Sequence, residues 1–245
     1  MKFKLIALLL AIASLFLFLS LVACEEESND DEWKNDMYLV LVNKTNTVGA
    51  DHIPNNLVDV DKKYVAAHKK DTIQLEKTTA EAVALMIDAM KADGIDNVTV
   101  TSAYRTYEYQ EFLFNKYIAQ EKADHPTWSD AEARDFVLTY SAYPGTSEHQ
   151  TGLCVDLWTT EMEPGLYNYG SETPNNPYDK GFAETEAFVW LQKNAHKYGF
   201  ILRFPEDKTE ITGYSYESWH YRYVGIEHAT KIYEKGITLE EYLGK

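Results

Sequence analysis

Two stretches of period-two alternation carry the most demanding residues of this chain, and they constrain the fold before anything else. Leu153, Val155 and Leu157 are apolar at every second position, which predicts the core face of a strand. Gly152, Cys154 and Asp156 then share the opposite face. The pattern recurs later, with Trp219, Tyr221 and Tyr223 on one face and His220, Arg222 and Val224 on the other. If the two strands are neighbours, His220 points at the first. His149 comes just before the first strand, where a turn would swing it beside Asp156. Glu217 is expected just outside the second strand, free to stand beside a metal without ligating it.

The chemistry of this inventory is specific. A catalytic zinc site needs three protein ligands, an open position for water and a nearby base. His149, Asp156 and His220 supply the ligands, and Glu217 supplies the base. A lone His or Asp on a strand is ordinarily a structural hydrogen-bonding residue. The two stretches together, in this order, are what point to a metal.

Ser147-x-His149-x-x-Gly152-x-x-x-Asp156 followed by Glu217-x-Trp219-His220 resembles the VanY-type D-alanyl-D-alanine carboxypeptidases. These are zinc peptidases related to lysostaphin and the hedgehog signalling domain. Further blocks resemble the family in family order: Ser102-Ala103-Tyr104-Arg105-Thr106 with Tyr109-Gln110, Gly199 to Pro205, Ile211 to Tyr214, and Trp219 to Gly225. The resemblance runs from about Tyr38 to the C-terminus. It implies removal of a terminal D-alanine from peptidoglycan stem peptides. It implies Arg105 gripping the substrate's carboxylate or steadying the oxyanion, with Gln110 and Ser147 as further substrate contacts. Cys154 departs from the family, which usually has a small residue such as Ala there. A thiol beside a metal site is either a ligand or a small core residue, and the second role is expected because His149, Asp156 and His220 already fill the site.

Strands interleaved irregularly with helices argue for an α+β fold. The resemblance implies one domain with a central, mainly antiparallel sheet and flanking helices, over residues 37–245. Residues 1–23 read as an export segment: Lys2 and Lys4 precede an almost wholly apolar run from Leu5 to Val22. Leu21-Val22-Ala23-Cys24 resembles a bacterial lipoprotein box, which implies lipid on Cys24 and a membrane anchor at the extracytoplasmic face. Residues 24–36 are acidic and polar, and read as a solvated tether. The formal charge of −16 argues against nucleic acid and anionic lipid as partners. A monomer is expected.

Along the domain, residues 38–43 read as a first strand and 55–70 as loop. A helix is expected from a cap at Thr78 or Thr79 to Gly94, with Met86 and Met90 filling core, and a strand over 98–103. Helices follow over 107–124 and from Ser129 to about Tyr140. A long loop spans 161–179. Then come a helix over 184–198, a strand at 200–202, a charged loop at 206–210, a helix over 226–235 and a short last one capped by Thr238. His52, His68, His125, His196 and His228 have no spaced partner and are read as non-ligands.

Three competing functions stay open. The same scaffold carries L,D-carboxypeptidases acting on tetrapeptide stems. A non-catalytic zinc-containing wall-binding protein would have no use for Glu217. A cysteine peptidase using Cys154 would need a His beside the thiol and no metal.

Overall fold

The computed structural model describes residues 36–69, 71–162 and 181–245. The chain divides into two units, Met1–Leu39 and Val40–Lys245. Of the first, Met37–Leu39 forms a 3-10 turn closed by the Leu39 amide donating to the Asp36 carbonyl. The export segment, Cys24, all but the last residue of the tether and most of the 161–179 loop lie outside the described residues. Among the described residues, no helix is long and apolar enough to cross a membrane.

In the second unit, β1 (Leu57–Asp59) and β2 (Gln74–Glu76) pair as a small antiparallel ribbon. The main sheet contains β3 (Val98–Ser102), β4 (Cys154–Thr159), β5 (Phe200–Phe204) and β6 (Glu217–Tyr223). Their spatial order is β3-β4-β6-β5, antiparallel throughout. β4 lies inside the sheet, and all six of its residues are buried. Leu153, Val155 and Leu157 do line the core, as the alternation predicts. The face carrying Cys154 and Asp156 is covered as well.

Helices flank the sheet. α1 (Lys77–Ala92) buries Val83, Met86 and Met90 completely. Its cap is Glu76 rather than Thr78 or Thr79: the Glu76 carboxylate accepts the Thr79 amide at 3.0 Å, which the last residue of β2 is placed to do. α2 (Tyr107–Asp124) is capped by Thr106. α3 (Asp130–Val137) starts at a Ser129–Glu132 capping box and ends short of Tyr140. Phe114 and Tyr117 of α2 pack on Val137 of α3. α4 (Glu186–Asn194) tightens into a 3-10 turn at Ala195–Tyr198 before Gly199. The charged stretch after β5 is not loop but a 3-10 turn followed by α5 (Thr209–Thr212). α6 (Ile226–Lys235) and α7 (Leu239–Tyr242, capped by Thr238) close the chain.

Two further expectations are corrected. The run 38–43 holds no strand: Asn43 Oδ1 accepts the Thr45 and Asn46 amides and turns the chain, an alternative to ladder bonds that Asn offers readily. The stretch 55–70 is not all loop, since it holds β1 and a 3-10 turn at Lys62–Tyr64. Three residues of strand give too short an alternation to register as a period. β1 exists because β2 lies beside it.

Gly152 sits at φ +69, and a Cβ there would meet the Glu76 amide nitrogen at 3.0 Å. It serves approach of backbone, not of ligand: its carbonyl accepts that same amide at 3.0 Å.

Candidate active site

Asp156 and His220 meet because of register. They are paired partners across β4 and β6, and directly opposed residues of an antiparallel pair project side by side on one face. His220 Nδ1 stands 2.9 Å from Asp156 Oδ1. His149 arrives from the 3-10 turn Glu148–Thr151 that feeds β4. Its Nδ1 contacts the Ala103 carbonyl at 2.5 Å. A carbonyl can only accept, so Nδ1 carries a proton and, in the neutral ring, Nε2 is the nitrogen with the lone pair. That Nε2 is 3.4 Å from Asp156 Oδ2.

Glu217 belongs to β6 as its first residue, rather than lying outside the strand. In a regular strand, residues three apart face opposite sides. The register between β5 and β6 shifts at this point: Leu202 pairs with Tyr221, yet Phe204 pairs with Glu217. β6 therefore carries extra residues opposite Arg203, a bulge that re-aims the side chains on either side of it. The result brings Glu217 Oε2 to 3.7 Å from His220 Nδ1.

Arg105 follows β3, and its amide donates to the His149 carbonyl. Its Nη1 donates to Gln110 Oε1 at 2.9 Å, and its Nη2 lies 3.4 Å from Asp156 Oδ2. Gln110 in turn donates to the Ala142 carbonyl at 2.8 Å. Its amide is thus engaged in bracing Arg105, although it also lines the cleft. Arg105, Glu217, Ser147 and Tyr214 border one cleft with the two imidazoles and Asp156. Arg105 and Glu217 keep 19% and 17% of their side chains exposed, against 5% or less for His149, Asp156 and His220.

The donor set fits a zinc ion. Two imidazole nitrogens and a carboxylate are zinc ligands, and ligands about 2.1 Å from a tetrahedral ion stand roughly 3.4 Å apart. Cys154 is also close: ligand atoms of His149, Cys154 and His220 lie within 4.8 Å of one another. Cys154 has no exposed surface and does not line the cleft, whereas Asp156 does. The electrostatics reflect the crowding. Burial raises Glu217 to about 7, with Asp156 adding to the rise and His220 opposing it. Burial and Arg105 disfavour the His149 cation, but Cys154 and Asp156 outweigh them and carry it to about 9. His220 rises well above its usual value against burial, through Cys154 and Asp156. Burial would raise the Cys154 thiol, yet the two imidazoles bring it down to about 7.

Sequence reasoning missed what lies behind the candidate ligands. Glu148 Oε1 accepts from Arg203 Nε at 2.7 Å and from Arg222 Nη1 at 2.8 Å. Arg203 donates its other nitrogens to Glu240 of α7, at 2.9 and 2.6 Å. Both arginine side chains have no solvent exposure. The signal was present: Arg203 interrupts an otherwise apolar strand and Arg222 stands between two tyrosines, where a charge is buried only with partners. The remaining described histidines have contacts elsewhere, such as His68 with Thr101 and His228 with Tyr242.

Comparison with known proteins follows the same lines. A family model described as VanY, D-alanyl-D-alanine carboxypeptidase, matches residues 72–226. A D-alanyl-D-alanine carboxypeptidase of Enterococcus faecalis is 37% identical over 224 residues, covering 91% of this chain and 70% of that protein. Among solved structures, a zinc complex of a variant of the vancomycin-resistance D,D-pentapeptidase VanY is 37% identical with a TM-score of 0.65. It covers 85% of this chain and 99% of its own. The LdcB LD-carboxypeptidase is 33% identical with a TM-score of 0.66, covering 84% and 85%.

Proposed function

Since the chain belongs to the VanY family of D-alanyl-D-alanine carboxypeptidases, we propose that it is a zinc-dependent D,D-carboxypeptidase removing the terminal D-alanine of peptidoglycan stem peptides. One observation carries the reading: His149 Nε2, Asp156, His220 Nδ1, Glu217 and Arg105 converge on a single cleft.

His149, Asp156 and His220 would hold the zinc. Zinc bound there acts as a Lewis acid toward the scissile carbonyl and lowers the pKa of water beside it. Glu217 accepts the proton of the attacking water and returns it to the leaving amine. A carboxyl poised near neutrality can do both, since neither protonation state is far out of reach. Arg105, held in place by Gln110, offers its guanidinium to the substrate's terminal carboxylate. Ser147 borders the same cleft and serves as a further substrate contact. An arginine waiting for a free carboxylate favours trimming from the C-terminus over cutting within a chain.

The test is to give the zinc-loaded protein a pentapeptide stem and, separately, a tetrapeptide stem, and to follow D-alanine release. Release from the pentapeptide is expected. Release from the tetrapeptide alone would replace the reading with an L,D-carboxypeptidase, the activity for which LdcB is named. If neither is cut while zinc stays bound, the non-catalytic wall-binding reading takes its place.

The ligand set has its own test. Asp156→Ala is expected to lose zinc, with affinity falling by at least roughly 10- to 100-fold, as for lesser changes around a metal. Cys154→Ala should retain zinc and nearly full activity. The reverse outcome, measured by competition with a chelator, would make Cys154 the third ligand.

Zinc binding should also release protons. Both imidazoles are raised in the metal-free protein, so at pH 7 each is charged and must lose a proton before it can ligate. Apparent affinity should therefore rise with pH through about 9, where His149 is half neutral without help, and keep rising while His220, raised as well, still carries its proton. Calorimetry in buffers of different ionisation heat should show roughly two protons released per zinc at pH 7. No release would mean that the imidazoles do not ligate.

We further place the domain at the extracytoplasmic face of a membrane, held by lipid on Cys24. The apolar run ending in Leu21-Val22-Ala23-Cys24 supports this, and the acidic stretch after it would hold the domain clear of the surface.

A further inference from the structure

Behind His220, two buried polar atoms face each other with no hydrogen-bond partner. His220 Nε2 and Glu148 Oε2 stand 3.5 Å apart, and neither is satisfied by any other group. A buried donor or acceptor left unpaired is costly, so each atom answers the need of the other. We propose that Glu148 is a positioning residue for the metal site: it accepts the Nε2–H of His220, fixing the tautomer and ring orientation that turn Nδ1 toward Asp156 and the metal.

Three further observations support the assignment. Glu148 cannot swing away, because its other oxygen is held by Arg203 at 2.7 Å and Arg222 at 2.8 Å. It has the right charge, since a carboxylate accepting the distal N–H makes the ligating nitrogen more basic. Its competitor, the Cys154 sulfur, also approaches the His220 ring but lies within reach of both imidazoles, whereas Glu148 Oε2 is buried with no other partner. His149 is oriented by a different device, the Ala103 carbonyl. The two imidazoles thus take their orientation from two independent supports, a backbone carbonyl for one and an anchored carboxylate for the other. Through Arg203 and Glu240, the second support reaches the last helix of the chain.

The inference rests on His220 being a zinc ligand, and the experiment separates the two claims. Zinc affinity is measured by chelator competition for the native protein, Glu148→Gln and Glu240→Gln. Glu240→Gln disturbs the same buried arginine from its far side without touching His220. Glu148→Gln is expected to weaken zinc about 10- to 100-fold, and Glu240→Gln to leave the affinity unchanged though it lowers the unfolding midpoint. Equal loss in both variants would reduce Glu148 to a general structural role and overturn the proposal. Unchanged affinity in Glu148→Gln would overturn it too. If native protein binds no zinc, the functional reading itself fails and the proposal with it. Should Glu148→Gln not fold, nitrogen-15 histidine spectra of the zinc-loaded native protein decide. His220 is expected to show a proton on Nε2, slow to exchange and shifted by its hydrogen bond. A proton on Nδ1 would overturn the proposal.

Discussion

Replacing Glu217 with Gln should lower kcat by roughly 10²- to 10⁴-fold, the usual worth of a general acid–base group, while zinc remains bound. Gln keeps the shape of the side chain but can neither take a proton from water nor pass one to the amine. Glu217 is not needed to build the site, since the close approaches among the proposed ligands are made by His149, Asp156 and His220. Metal content and turnover should therefore separate cleanly. The pH profile of the native enzyme should agree. Glu217 acts as base in its ionised form, so the rate should fall as pH drops through its pKa. That pKa is about 7 from the protein alone, and a bound cation will pull it lower. Near-native turnover in Glu217→Gln would remove Glu217 as the base, and loss of zinc would make it a ligand instead.

Arg203→Ala should cost about 3–5 kcal/mol of stability, the usual penalty for removing one partner of a buried ion pair. Arg203 has no exposed side-chain surface and joins Glu148 of the turn before β4 to Glu240 of α7. Without it, Glu240 keeps Asn43 as a neutral partner at 3.2 Å, and Glu148 keeps Arg222 and the His220 imidazole, 3.5 Å away. The carboxylates would remain buried with too little positive charge. The measurement is urea unfolding of the metal-free protein, so that zinc does not mask the change. A loss below about 1 kcal/mol, typical of exposed pairs, would mean that water reaches the network. Acid should reveal the same dependence in the native protein. Burial alone would raise the Glu148 pKa, but Arg203 and Arg222 hold it well below the ordinary range. A carboxyl with a lowered folded pKa gives stability that is full above its unfolded value and is lost as pH falls toward the folded one. The contribution should therefore decline below about pH 4.5, and Arg203→Ala should show less of that decline.

Sequence and structure divide the work along a physical line. What repeats locally was legible. The alternation around Val155 and Tyr221 marked β4 and β6, and the Ser129–Glu132 box marked the start of α3. The glycines after Tyr198 and Lys235 marked helix ends. The residue types proposed for the zinc site could be named because their chemistry is rare and their spacing is short. The family resemblance extended this to Arg105, Gln110 and Ser147. What depends on partners distant in the chain was not legible. β1 and β2 are three residues each and exist by pairing with one another. The stretch 38–43 has strand composition but no strand to meet, and Asn43 turns it away.

The site itself shows the limit most clearly. A strict period of two would send Glu217 and His220 to opposite faces, and only the irregular pairing of β5 with β6 brings them together. Gln110 was readable as a contact for substrate, while its hydrogen bond to Arg105 became visible only in the fold. Glu148 passed as a spacer between Ser147 and His149 until Arg203 and Arg222 closed around it. The sequence by itself determined which side chains are proposed to carry the chemistry, because side-chain type and local periodicity are written in neighbouring residues. The tertiary structure decided where they point and what steadies them, because strand register, a bulge and buried charge pairs arise between residues far apart in the chain.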